Sequence, residues 1–99
     1  MDDKIQFTKN GNSFSFKEDI FNNSAASSSY QEAYSKFRLA VASSINTFRG
    51  GNQGITPDML ALELQLPEWE DGFVKEVNGV SYIRQKGQWA AIDNKGFGK

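Results

Sequence analysis

Apolar residues along the chain alternate between a period of two and a period near 3.6, and the switches divide it into elements. Ile5 and Phe7 alternate with polar neighbours, and so do Phe14 and Phe16. Lys9-Asn10-Gly11-Asn12 lies between the two runs, and Asn-Gly is a favoured pair for a tight hairpin turn. Residues 4–17 therefore read as an N-terminal β-hairpin, with Ile20 and Phe21 continuing its apolar layer. Asn22–Ser29 is poor in large side chains and reads as a loop. Ser29-Tyr30-Gln31-Glu32 then fits a capping box at a helix start.

Tyr30, Tyr34, Phe37, Val41, Ile45 and Phe48 follow at spacings of 4, 3, 4, 4 and 3. That is one stripe of a long amphipathic helix, and it predicts core. Gly50-Gly51 ends the helix with left-handed or open geometry. The next stretch carries two signals. Thr56-Pro57-Asp58 is a helix start with a Thr cap and Pro in the first turn. Leu60, Leu62, Leu64 and Leu66 alternate as a strand would. The specific cap and the near absence of β-branched residues favour a shorter helix, stopped by Pro67.

The last third reads as a three-stranded meander. Phe73–Val77, Val80–Lys86 and Trp89–Asp93 are separated by Asn78-Gly79 and by Gly87-Gln88. The expected fold is one small α+β domain in the order ββααβββ, spanning residues 1–94, with a flexible basic tail at 95–99. Whether the hairpin and the meander share one sheet is open at this stage.

Composition narrows the chemistry. The chain has 99 residues with no histidine and no cysteine. Thiol chemistry, Ser-His-Asp catalysis, Cys/His zinc sites and disulfide scaffolds are therefore excluded. Met1-Asp2-Asp3-Lys4 is unlike a secretory signal, and a mean hydropathy of −0.55 is unlike a membrane protein. A cytoplasmic location is the expectation.

Charge is segregated along the chain. Residues 51–80 carry six acids against Lys75 alone, whereas residues 81–99 carry Arg84, Lys86, Lys95 and Lys99 against Asp93. Separated charge can steer a partner. The densest acidic cluster is Glu68-Trp69-Glu70-Asp71. It has no matching second carboxylate group and no calcium-loop spacing, so it reads as a solvated turn rather than a hydrolytic or metal site. Trp69 within it either folds back as a lid on the core or stays exposed as an interaction anchor. Gly50–Gly54 lacks the Lys-Ser/Thr ending of a phosphate loop and reads as an interhelical turn.

Two nucleic-acid readings stand beside these. In a winged-helix outline, Gly72–Val77 would be the recognition helix and Arg84–Gln88 the wing. The four acids of residues 68–77 would repel DNA in that arrangement. In a single-strand platform, Tyr82 and Trp89 would stack bases beside Arg84 and Lys86. The expected function is a non-enzymatic interaction protein, without cofactor or metal, that regulates or inhibits a macromolecular partner. A protein partner is expected, with a nucleic-acid module as the alternative. Small acidic products of this kind are typical of phage and mobile elements. The candidate surface joins Glu68, Trp69, Glu70 and Asp71 to Tyr82, Arg84 and Lys86.

Overall fold

A computed structural model describes residues 3–51 and 54–92. The expected order of elements is present, with one strand added. Strands β1 (Gln6–Asn10), β2 (Ser13–Lys17) and β3 (Ser24–Ser27) form one antiparallel sheet, and helices α1 (Tyr30–Gly50) and α2 (Pro57–Gln65) follow. A 3₁₀ turn at Leu66–Trp69 leads into a second antiparallel sheet of β4 (Val74–Val77), β5 (Val80–Gln85) and β6 (Gln88–Ala91). The two sheets are separate. The expected tail at 95–99 lies outside the described residues.

The added strand β3 occupies part of the stretch read as a loop. Its Ser-Ala-Ala-Ser sequence has little strand propensity. Tertiary contacts hold it instead: it pairs with β2 from Phe14↔Ser27 to Lys17↔Ser24, and Ala25 packs on the core. Glu18 organises the link between the two strands. Its side chain is buried, and its carboxylate accepts the N–H groups of Phe21 (2.8 Å) and Asn23 (3.1 Å). The Asn23 side chain in turn donates to Ser44 Oγ on α1 at 3.0 Å.

The long stripe forms the core. Tyr30, Tyr34, Phe37, Val41 and Ile45 are buried against Phe14 and Phe16 of β2, while Phe48 is half-buried. The Phe16 and Phe37 rings stack with centroids 5.5 Å apart. The α1 start differs from a capping box in one respect. Ser29 Oγ accepts the Glu32 N–H at 3.3 Å, but the Glu32 carboxylate takes the Ser27 hydroxyl. The Ser29 N–H reaches Ser27 Oγ at 3.2 Å, so Ser27 relays the second half of the cap. At the other end Gly51 caps α1 at φ −84°, which is not left-handed.

Helix α2 resolves the alternating leucines. Thr56 Oγ1 accepts the Met59 N–H at 3.2 Å, as its sequence implies. In a helix, residues four apart share a face. Leu62 and Leu66 accordingly point into the core, while Leu60 and Leu64 are exposed. No helix among the described residues is long and apolar enough to cross a membrane.

The hairpin turns set the register of both sheets. In the first hairpin Asn10 pairs with Ser13, so the turn is Gly11-Asn12, with only Gly11 at positive φ (57°). Glycine at the first central position with an ordinary second residue suits a II′-like turn, one residue later than the Asn-Gly pair suggested. Asn78-Gly79 forms the expected tight turn, with φ of 53° and 82°. In the last hairpin Gln85 pairs with Gln88, so Lys86 and Gly87 make the turn at φ 50° and 87°. Lys86 thus leaves the strand it was expected to end. Val74–Val77 is a strand and not a recognition helix, so the winged-helix outline is absent.

Candidate functional site

The second sheet meets the rest of the molecule through a stack of three side chains. Trp69 closes the 3₁₀ turn, Arg84 lies in the middle strand and Trp89 lies opposite it in β6. The Arg84 guanidinium carbon is 4.0 Å from the Trp69 ring centroid and 3.9 Å from that of Trp89. Its Nε donates to the Glu68 carbonyl at 2.8 Å, and Nη1 makes a long contact of 3.4 Å with the Gly87 carbonyl. The side of Trp69 remote from the second sheet packs on Phe7 and Phe16, with centroids 5.4 and 5.7 Å away. A planar cation suits this position because it stacks on both faces and still donates in its own plane.

Arg84 is 5% exposed, and neither of its hydrogen-bond partners is a carboxylate. Burial lowers the guanidinium from its ordinary value, against the opposing pull of Tyr30, Glu68 and Asp3. Arginine still keeps its charge at such a site. The nearby Tyr30 phenol donates to the Trp69 carbonyl, and burial raises its pKa. Tyr34 donates to the Leu66 carbonyl at 3.1 Å, and burial followed by the Glu70 charge raises its pKa.

Of the seven residues singled out from the sequence, Arg84 meets Trp69 and the Glu68 carbonyl, and Asp71 meets the Lys86 N–H, while Glu70 and Tyr82 take no part in these contacts. The Glu68 carboxylate accepts from Lys75 Nζ at 3.1 Å. Trp69 is half-buried in the stack, so it is a lid on the core. Asp71 Oδ1 accepts the Lys86 N–H at 3.0 Å, which ties the acidic turn to the last hairpin. Arg84 is buried, and its guanidinium is not on the solvated face with Lys86. Glu70 and Lys86 are exposed, and Tyr82 is half-buried.

Tyr82 leads to a groove. Strand register places Lys75, Val77, Val80, Tyr82, Arg84, Trp89 and Ala91 on one face of the second sheet. Trp69 covers the Arg84 end of this face. At the other end a groove of about 220 Å³ opens between Lys75, Val77, Tyr82 and Trp89, and its lining is almost wholly apolar. Val77 and Val80 border it at 43% and 41% exposed. Lys75 Nζ lies 5.2 Å from the Trp89 ring centroid and forms one wall. The opposite face carries Val74, Glu76, Ser81, Ile83, Gln85, Gln88 and Ala90, with Val74 exposed among polar neighbours.

Lys75, Val77 and Val80 were not singled out as site residues from the sequence. Their signal is strand parity: Lys75 faces Tyr82 across one ladder, and Val77 faces Val80. A larger cleft of about 700 Å³ runs between α1 and the 3₁₀ turn, lined by Tyr30, Tyr34, Arg38, Glu63 and Glu70 among others. It is as polar as it is apolar, and both of its phenol protons are committed to backbone carbonyls. Among the described residues no group of three or more Asp or Glu is placed to hold a metal ion. In comparisons with known proteins, the chain matches no family model, no curated protein and no solved structure.

Proposed function

We propose that the chain is a non-enzymatic interaction protein that regulates or inhibits a protein partner in the cytoplasm by binding it on the open face of the second sheet. The carrying observation is the apolar groove of Lys75, Val77, Tyr82 and Trp89, continued by the exposed Val77 and Val80. Apolar surface left open beside an aromatic pair is the usual chemistry of a protein contact. Tyr82 and Trp89 are the anchors in this reading, and Lys75 supplies charge at the rim. Trp69 and Arg84 close the other end of the same face. A nucleic-acid platform is less well supported. Arg84 is buried beneath Trp69, and Lys75 is already paired with Glu68.

The test is capture from an extract of the native host on immobilised protein, with the retained proteins identified by mass spectrometry. Wild type should hold a protein that Val77→Asp and Tyr82→Ser both lose while their melting curves stay close to wild type. Capture of the same protein by all three overturns the assignment of this face.

A further inference from the structure

Strand β6 is an open edge of the second sheet. The Ile92 N–H donates to the Ser81 carbonyl at 2.8 Å, and the register then turns the main-chain groups of Gln88 and Ala90 toward β5 as well. The N–H and C=O groups of Trp89 and Ala91 point the other way. Among the described residues no strand pairs with that side. An edge strand is commonly blunted by a charge, a proline or a bulge. Gln88-Trp89-Ala90-Ala91 carries no charge and no proline, and its pairing with β5 is unbroken. The other edges differ. In β4 the register that brings the Arg84 N–H to the Phe73 carbonyl at 2.8 Å turns the main-chain groups of Val74 and Glu76 outward, and the strand carries Lys75 and Glu76. Strand β1 carries Lys9, and β3 leads into the cap of α1.

We propose that β6 is a self-association edge: two copies of the chain join β6 to β6, antiparallel, about a two-fold axis at Ala90, to make one continuous sheet. The edge itself sets this register. An antiparallel pair exchanges hydrogen bonds at alternate residues, and Trp89 and Ala91 are the residues of β6 whose groups point outward. With Trp89 of each copy opposite Ala91 of the other, both outward donors and both outward acceptors of each copy are paired at once. Ala90 then meets Ala90 and Gln88 meets Ile92, so no like charges face each other across the seam. The two Trp89 indoles become diagonal neighbours on the groove face, within reach of each other. The equivalent seam at β4, with Val74 opposite Glu76, would set Lys75 against Lys75. Like charges directly opposite are destabilising, so β4 does not continue the assembly and it closes at two copies. Two short strands make a small interface, which makes the dimer reversible and dependent on concentration. The proposal does not depend on what occupies the groove.

The experiment is sedimentation velocity of the full chain over a range of concentrations. Wild type should pass from monomer to dimer as concentration rises, and no further. Ala91→Pro should stay monomeric where wild type is dimeric. The N–H it removes points away from β5, so the hairpin keeps its ladder and the melting curve should stay close to wild type. Ala90→Lys and Ala90→Glu each set like charges at the two-fold axis, so each alone should be monomeric. An equal mixture of the two should recover the dimer, because opposite charges then meet there. Wild type that is monomeric at every concentration overturns the proposal. A dimer that survives Ala91→Pro places the seam elsewhere and overturns it too. So does a mixture of the two folded charged variants that stays monomeric, because Ala90 is then not on the axis. Growth of wild type beyond a dimer overturns the closed pairing. Docking on the groove is read separately, from Val77→Asp and Tyr82→Ser, which lie on β4 and β5 and not on the seam.

Discussion

Phe7 lies directly on the backbone of Gly87: a Cβ at residue 87 would fall 2.3 Å from Cε2 of the Phe7 ring. The first strand of one sheet is thus seated on the last turn of the other. Gly87 is required twice over, by this contact and by its φ of 87°. Together with the stack of Trp69 on Arg84, the contact makes the second sheet a supported platform rather than an appendage.

Gly87→Ala should therefore destabilise the protein by about 2–4 kcal/mol, from overpacking and left-handed strain together. Urea melts would measure it. Adding Phe7→Leu to Gly87→Ala should recover part of the loss, because it relieves the ring contact and leaves only the backbone strain. A Gly87→Ala melt within error of wild type would show that the two sheets are not seated in this way.

Arg84 should act as a clamp for the second sheet. Arg84→Lys keeps the charge but loses the planar stack and the fixed donor geometry, at a cost of about 1–3 kcal/mol. The effect should be local. Amide hydrogen exchange in β4, β5 and β6 should quicken more than exchange in α1 and β2. Uniform loss of protection along the chain would show that the sheets unfold as one unit and that the stack does not secure one of them.

Stability should fall on the alkaline side, and Tyr30 should be one cause. Burial raises its folded pKa above the ordinary phenol value of about 10. Once the pH passes that value the unfolded chain has lost the phenol proton and the folded chain still holds it. The unfolded state is then favoured, so the stability present below pH 10 is lost as pH rises toward the folded pKa. Tyr34 is shifted in the same direction. Tyr30→Phe should be less stable at neutral pH, having lost the bond to the Trp69 carbonyl, and its decline above pH 10 should be shallower. Urea midpoints from pH 7 to 11 test this, and parallel curves for wild type and variant contradict it.

The helices were the most legible elements because their signals are local. The 3–4 spacing from Tyr34 to Ile45 and the Ser29 and Thr56 caps depend on residues only a few positions apart. Even the alternating leucines were decided by a cap, which is why Leu62 is buried and Leu64 is not. Strand β3 was not legible because Ser24–Ser27 gains its conformation from β2 and α1, not from its own residues. The buried Glu18 was hidden for a similar reason, since its partners are backbone N–H groups of a loop.

The candidate site was legible in part. Charge and aromatic content pointed to the 68–71 turn and to Tyr82, Arg84 and Lys86; the structure joins Arg84 to Trp69 and Glu68 and Lys86 to Asp71, while Tyr82 stands apart from these contacts. Alternation along β5 placed Tyr82 and Arg84 on one face but carried no information on what lies over each. The 3₁₀ turn covers Arg84 and leaves Tyr82 half open, and that difference follows only from the packing of Trp69 on Phe7 and Phe16. The contribution of Lys75, Val77 and Val80 depends on the register of β4 against β5, which two short runs do not fix until their turn is placed.

The docking face is tested most directly by calorimetric titration of the captured partner into wild type and three variants: Val77→Asp, Tyr82→Ser and Lys36→Glu. Lys36 is exposed on α1, away from the second sheet. The expected result is at least a tenfold loss of affinity for the first two, consistent with removal of a central anchor, and affinity within twofold of wild type for the third. Unchanged binding by Val77→Asp and Tyr82→Ser, with loss in Lys36→Glu, would move the site to the outer face of α1 and contradict the account.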